Sequence, residues 1–379
     1  MKLTLALLML LLLPVEHPEG SFEAIRRFIV SRSAADLIRF QGIGNQDREV
    51  ASTDRLAIAS LSAIDSTRAL ALARESLSDG LQREVVLRTS NGGRTWDRRI
   101  VGSENDWFYD IFSLDIQTAW IAGYAGAVLK TTDAGETWKR QHTPTQSALL
   151  EIQFADKDTG WAMGEDGHIL RTIDGGAHWE ENSVPARKWL RALDFYDKRN
   201  GWVVGEDAEA YQTTDGGTTW KPRRSKVLAS VHIQPNSVAT FQTVKFISGK
   251  IGFIAAKVVV KEQSSSQDQG MILKTEDSGF TWTTIIVPVD QGLLRAQFLG
   301  ASETWVIAGL RTALLHTLDG GKTWAAVEPT TDGGMVTYVA FTDSNTGWVA
   351  VSYGLFDDRL LYTTDAGRVW VKAKLLKEN

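Results

Sequence analysis

From about residue 56 onward, apolar and polar residues alternate over short stretches, and Gly/Asp-rich turns separate them. "LLEIQF" at 149–154 is one such stretch, and "HILRT" and "AVLKT" are others. A period of two puts one side of each stretch on a core, which is the mark of a half-buried strand. No stretch after residue 50 sustains the 3.6-residue period of a helix. The pattern therefore predicts an all-β chain built from many short strands.

The strands come in repeating units. Seven segments share one turn, from "RTSNGGRTW" through "QTTDGGTTW" to "YTTDAGRVW". Their final tryptophans are Trp96, Trp138, Trp179, Trp220, Trp282, Trp324 and Trp370. The acidic or amide position is Asn91, Asp133, Asp174, Asp215, Asp277, Asp319 and Asp365. Successive spacings are 42, 41, 41, 62, 42 and 46 residues, and a period in this range marks a propeller or a solenoid. A second landmark precedes each turn, as in "TGWAMG" at Trp161 and "NGWVVG" at Trp202; the first copy is degenerate, with Ala71 in the Trp place. Each unit reads as four strands, A to D, with the second landmark on B and the x-D-G-G-x-T turn between C and D. Four antiparallel strands repeated seven times predict a seven-bladed β-propeller over residues 55–379.

The turn has a physical logic. An Asp at its start accepts backbone N–H bonds from residues two positions on. The small residues after it permit positive φ, and the Trp buries a large apolar surface between strands. Seven carboxylates spread round a ring cannot converge on one substrate, so the turns are read as structural.

S/T-x-D-G-G-x-T-W resembles the Asp-box, or BNR, repeat of sialidase-like propellers. The longer pattern in "DKRNGWVVGEDAEAYQTTDGGTTW" and "DKDTGWAMGEDGHILRTIDGGAHW" is narrower. It resembles the photosystem II stability/assembly factor family and its relatives in non-photosynthetic bacteria, over roughly residues 56–376. The resemblance implies a non-catalytic assembly factor that holds a membrane-protein partner. The alternative is a carbohydrate-active propeller, a glycoside hydrolase or a glycan binder, since one fold hosts many functions.

Composition narrows the chemistry. The chain has no cysteine, which excludes disulfides, thiolate metal sites, cysteine nucleophiles and a lipoprotein anchor. A net charge of −5 speaks against a non-specific nucleic-acid binder. The six histidines lack metal-ligand spacing, and each turn offers a single carboxylate where calcium needs six to eight oxygens. No nucleophile elbow, phosphate loop or dinucleotide fingerprint is present. Neither a cofactor nor a metal is expected, and a monomer is. At the N-terminus, Lys2, an apolar run over residues 3–13 and Pro14 match a secretory signal, without a clear cleavage site. Residues 1–20 are read as that signal, which implies export to the periplasm or beyond. Residues 21–54 are left open between a short helix and a strand that closes the ring.

The units differ in one place that matters. The 62-residue spacing holds about eleven extra residues between strands B and C and about ten in the D–A connection. In propellers of this kind both connections share one face, opposite the C–D turns. Long loops on a rigid scaffold are where function tends to sit. Around that face we place the candidate partner-binding residues Trp107, Tyr109, Asp110, Glu151, Arg187, Lys188, Trp189, Arg191 and Arg295, with Lys245 beside them at an A-strand entry. Aromatic residues and arginine together suit an interface. Asp110 and Glu151 are also the carboxylate pair that a glycosidase would need.

Overall fold

The computed structural model describes residues 55–186, 188–229, 237–261, 266–289, 292–308 and 313–376. The expected signal and the segment up to residue 54, like Arg187, lie outside them. The described residues form seven antiparallel blades. Blade one contains β1 (Leu56–Ala63), β2 (Ala69–Ser76), β3 (Gln82–Thr89) and β4 (Thr95–Ile100). The inner strands of the next six are β5 (Phe108–Ser113), β9 (Leu149–Phe154), β13 (Leu190–Phe195), β17 (Ser237–Phe246), β21 (Leu293–Phe298) and β25 (Met335–Phe341). Among the described residues one short α-helix, α1 (Arg224–Ala229), interrupts the all-β pattern in the connection between blades four and five. Six residues are too few to leave a helical period in the sequence.

The B-strand landmark, more than the turn Trp, builds the core. Trp120, Trp161, Trp202, Trp305 and Trp348 are fully buried. The turn tryptophans divide: Trp96, Trp179 and Trp282 are buried, and Trp138, Trp220, Trp324 and Trp370 are half-buried. Except for Trp348, whose neighbouring inner strand ends at Ala63, each landmark ring stacks on the aromatic that ends the next blade's inner strand. Trp120 lies 3.5 Å from Phe154, Trp161 lies 3.5 Å from Phe195, and Trp305 lies 4.2 Å from Phe341. The turn Trp of that next blade then meets the same Phe edge-on, as Trp179 meets Phe154 and Trp220 meets Phe195. Blade-to-blade cohesion is thus an aromatic relay, and truncating one such ring to Ala costs about 3–5 kcal/mol.

The Asp turn works differently from the expectation. Asp215 Oδ1 accepts the amide of Thr219, four residues on and not two, at 2.9 Å. Its Oδ2 accepts the Thr219 hydroxyl at 2.6 Å, and the Thr213 hydroxyl donates to Oδ1 at 2.8 Å. The two small residues that follow occupy the left-handed region, with φ of 78° at Gly216 and 85° at Gly217.

The ring closes through its ends. β29 (Lys374–Leu375) adds in parallel to the outside of β4, making blade one five-stranded. Blade seven is complete with four strands of its own.

Candidate functional site

Each of the seven inner strands carries one β-bulge where it pairs with the second strand of its blade. A bulge frees backbone groups and re-aims side chains. The residue just past the bulge is Ser60, Asp110, Glu151, Ala192, Thr243, Arg295 and Tyr338, in blade order. These positions form a ring around the axis, and several members contact one another across blades. The Ser60 hydroxyl donates to Asp110 Oδ1 at 2.7 Å and lies 3.1 Å from the Tyr338 hydroxyl. The Arg295 guanidinium sits over the Tyr338 ring, 4.0 Å from its centroid.

The same side chains clasp the next blade. Asp110 Oδ2 accepts the amide of Ile152 at 3.0 Å, and Glu151 Oε2 accepts that of Leu193 at 2.7 Å. Thr243 accepts from Ala296 in the same way, at 3.3 Å. One tier further along, Gln153 accepts from Phe195, Asp194 from Phe246 and Gln297 from Phe341. Lys245, an axial candidate from the sequence, is bound to Asp194 at 2.7 Å. Six polar residues of the inner strands, Asp110, Glu151, Gln153, Asp194, Thr243 and Gln297, are therefore interblade clasps.

Electrostatics follow from this placement. Burial pushes the Asp110 carboxyl up, against the bonds from Ile152 and Ser60. Burial, then the charge of Asp110, pushes Glu151 up to about 8. Tyr338 is raised by burial as well. The chamber still admits water, because Asp110, Glu151, Thr243, Arg295 and Tyr338 all keep partial accessibility.

The remaining candidates stand at the mouth. Trp107 and Trp189 occupy matching positions before β5 and β13, and each carbonyl accepts an amide from the B–C turn of its own blade. Both rings are half-buried, so neither is the freely exposed anchor that the loop sequence suggests. Arg74 sits over the Trp107 ring, 3.2 Å from its centroid, and is bound to buried Glu84. Arg191 reaches the Trp189 ring at 5.1 Å and pairs with Glu206. Tyr109 sits at a bulge among Glu165, Arg74 and Tyr124, its hydroxyl raised chiefly by burial. Lys188 is half-buried beside Trp189. The blade-five extensions take two forms. The B–C one is a long hairpin of β18 (Gly252–Lys261) and β19 (Ser266–Thr275), and the D–A one contains α1. Arg224 of α1 donates to the Asp207 carbonyl in a B–C turn, which places the two kinds of connection on one face.

Sequence reading missed Ser60, Thr243 and Tyr338 in the axial ring, and Arg74 at the mouth. The signal was available for the first three. Each stands three residues before the end of its inner strand, in register with Glu151 three before Phe154.

Fold and site together define a seven-bladed BNR-type propeller with a polar, clasped axis. Among known proteins it resembles the photosystem II assembly factors. The family model described as photosynthesis system II assembly factor YCF48 matches residues 80–143 and 273–378, and that of sortilin, neurotensin receptor 3, matches residues 126–232. Over 62 residues the chain is 37% identical to the chloroplastic photosystem II stability/assembly factor HCF136 of Oryza sativa subsp. japonica, a stretch that is 15% of each chain. The structure of YCF48 bound to D1 peptide superposes with a TM-score of 0.62 at 18% identity, over 86% of this chain and 99% of that one. YCF48 from Cyanidioschyzon merolae gives 0.59 at 17%, over 85% and 99%. A GH74 xyloglucanase from Xanthomonas campestris gives 0.61 at 15%, over 85% of this chain and 55% of that one. At such identities the superpositions establish the fold alone.

Proposed function

We propose that this chain is an exported, non-catalytic scaffold that holds a protein partner, a membrane protein or complex, on the face bearing the blade-five extensions. The observation that carries the reading is the state of Asp110. Both its oxygens are engaged, by Ser60 and by the amide of Ile152, so the carboxylate pair cannot serve a glycosidic bond without undoing an interblade clasp. Likeness to the YCF48 model and to YCF48 bound to D1 peptide supports a binding role over a hydrolytic one. Trp107, Tyr109 and Trp189 give the mouth half-buried, firmly held aromatic surface of the kind that anchors interfaces.

The test is capture of membrane proteins on purified chain. Trp189→Ala is expected to weaken capture by about thirtyfold, as for an anchor worth about 2 kcal/mol. Melting curves of the variant separate a lost contact from a lost fold. Turnover of a glycoside that disappears in Glu151→Gln or Asp110→Asn would overturn the reading. Export has its own check: mass spectrometry of cell fractions should find the chain outside the cytoplasm, without about its first twenty residues.

A further inference from the structure

We propose that the axial channel binds a carboxylate group of the partner on the guanidinium of Arg295. The inference rests on the scaffold reading and adds the chemistry that the axis recognises. Among the described residues, three arginines toward this face are committed: Arg74 to Glu84, Arg98 to Glu75 and Arg191 to Glu206. Arg295 is different. Among the described residues it has no hydrogen-bond acceptor and no carboxylate within ion-pair distance, and its guanidinium carbon lies 4.0 Å from the centroid of the Tyr338 ring.

A guanidinium held over an aromatic ring by its carbon still has N–H donors to offer, and a carboxylate can be met by two of them at once. Tyr338 is itself held by the Ser60 hydroxyl, so the platform is fixed before a ligand arrives. The nearby acids do not fill the role. Asp110 feels Arg295 only at a distance, with its oxygens already bonded to Ser60 and Ile152. Glu151 points Oε2 at the amide of Leu193. The other channel cation, Lys245, is spent on Asp194. An entering carboxylate thus finds one cation with its donors unsatisfied, in a chamber whose walls magnify the attraction.

Glu151 tunes the site. The groups that act on it are Asp110 from blade two, Asp194 from blade four and Arg295 from blade six, and it acts in turn on Tyr338 of blade seven. With its carboxyl at about 8, it is neutral at pH 7 and leaves Arg295 to the ligand. Ionised, it becomes a competing anion.

The experiment is calorimetric titration of the purified full chain at pH 6.5 with four probes. They are acetyl-trialanine with a free terminal carboxylate, the same peptide amidated, acetyl-Ala-Glu-Ala amide, and propionate. Binding of carboxylate probes without the neutral amide is expected, and the arm that binds identifies a chain end, an acidic side chain or a small free acid as the source. Arg295→Gln should lower that affinity about tenfold to a hundredfold, the worth of hydrogen bonds to a charged group. Should that variant fail to fold, the pH profile decides: affinity falls from pH 7 to pH 9 in the native chain and stays flat in Glu151→Gln. Equal binding of acid and amide, silence from every carboxylate, or full affinity in a folded Arg295→Gln would overturn the proposal. Partner capture through Trp189 without any carboxylate dependence would overturn it and leave the scaffold standing. Carboxylate binding without any partner would count against the scaffold alone.

Discussion

Gly279 of blade five is pressed against Trp202 of blade four so closely that a Cβ at Gly279 would lie 2.6 Å from Cη2 of the indole. The same contact recurs between Gly367 and Trp305 and between Gly93 and Trp348, the last of these across the ring closure. The second small residue of the Asp turn is therefore required twice, once for its positive φ and once for the tryptophan of the preceding blade. Gly279→Ala should cost more than Gly80→Ala, since Gly80 shares the positive φ but has open space around it. We expect about 1 kcal/mol for the backbone strain at Gly80 and about 2–4 kcal/mol at Gly279, where overpacking adds to it. Urea denaturation of both variants checks this; equal losses would reduce the glycine to a matter of φ.

The Asp turn predicts a graded series. Burial pushes Asp215 up, but the Thr219 hydroxyl and amide and the Thr213 hydroxyl outweigh it and hold the carboxyl at about 2. Blade one shows that an amide can stand in. Asn91 Oδ1 accepts the Thr95 amide at 3.0 Å, and its Nδ2 donates to the Thr95 hydroxyl at 2.7 Å. Asp215→Ala should cost about 1–3 kcal/mol, the toll of stranded donors, and Asp215→Asn clearly less. Thermal melts in which Asn harms as much as Ala would reject the hydrogen-bond account.

The blades were legible in the sequence because two landmarks recur at a nearly constant interval, one on strand B and one at the C–D turn. What the turn Trp does was less legible. Its spacing is regular, but the deeper burial belongs to Trp161 and its counterparts. The axial ring was only half legible. Asp110, Glu151 and Arg295 drew attention by their charge, while Ser60 and Tyr338 passed for ordinary strand residues. A β-bulge leaves no trace in composition, and it changes which neighbour faces the axis. Counting alternation from Phe108 does not reveal that Asp110, not Tyr109, meets Ser60. Registering every inner strand on its last residue recovers the ring without a structure.

Ring closure offers a third prediction. The amide of Lys374 donates to the Arg94 carbonyl at 3.0 Å, and that of Leu376 to the Trp96 carbonyl at 2.8 Å. These bonds cover the edge of β4, an edge that would otherwise stay open to pairing with other chains. Lys374→Pro removes one donor from a two-residue strand and should cost about 1–3 kcal/mol. Light scattering should also show more self-association in the variant than in the native chain. An unchanged melt and unchanged scattering would mean that the parallel strand contributes nothing to closure.

The channel carboxyl of Glu151 ties stability to pH, and the sign is set by its direction of shift. Its folded value is raised to about 8 from 4.5, by burial and then by Asp110. Below the unfolded value both states are protonated and the group is neutral in the balance. As pH rises between the two values, the unfolded chain loses its proton while the folded chain keeps it, so folding is progressively penalised. The stability that the protonated form supplies is lost as pH climbs through about 8. Glu84 and Asp358, each raised to about 7 by burial, add to the same trend and complete their loss earlier. The Asp turns act oppositely: Asp133, Asp174, Asp215 and Asp319 are held near 2, so their contribution is present at neutral pH and lost only in strong acid. Glu151→Gln keeps an oxygen for the Leu193 amide and removes the titration. It should match the native chain near pH 4 and exceed it by about 1–3 kcal/mol at pH 9, allowing for relaxation around a buried charge. Guanidinium denaturation at the two pH values gives both numbers. A native chain as stable at pH 9 as at pH 5, or a Gln variant that gains nothing at high pH, would show that Glu151 is ionised in the folded state at neutral pH. The carboxylate would then already stand as an anion facing Arg295 across the channel.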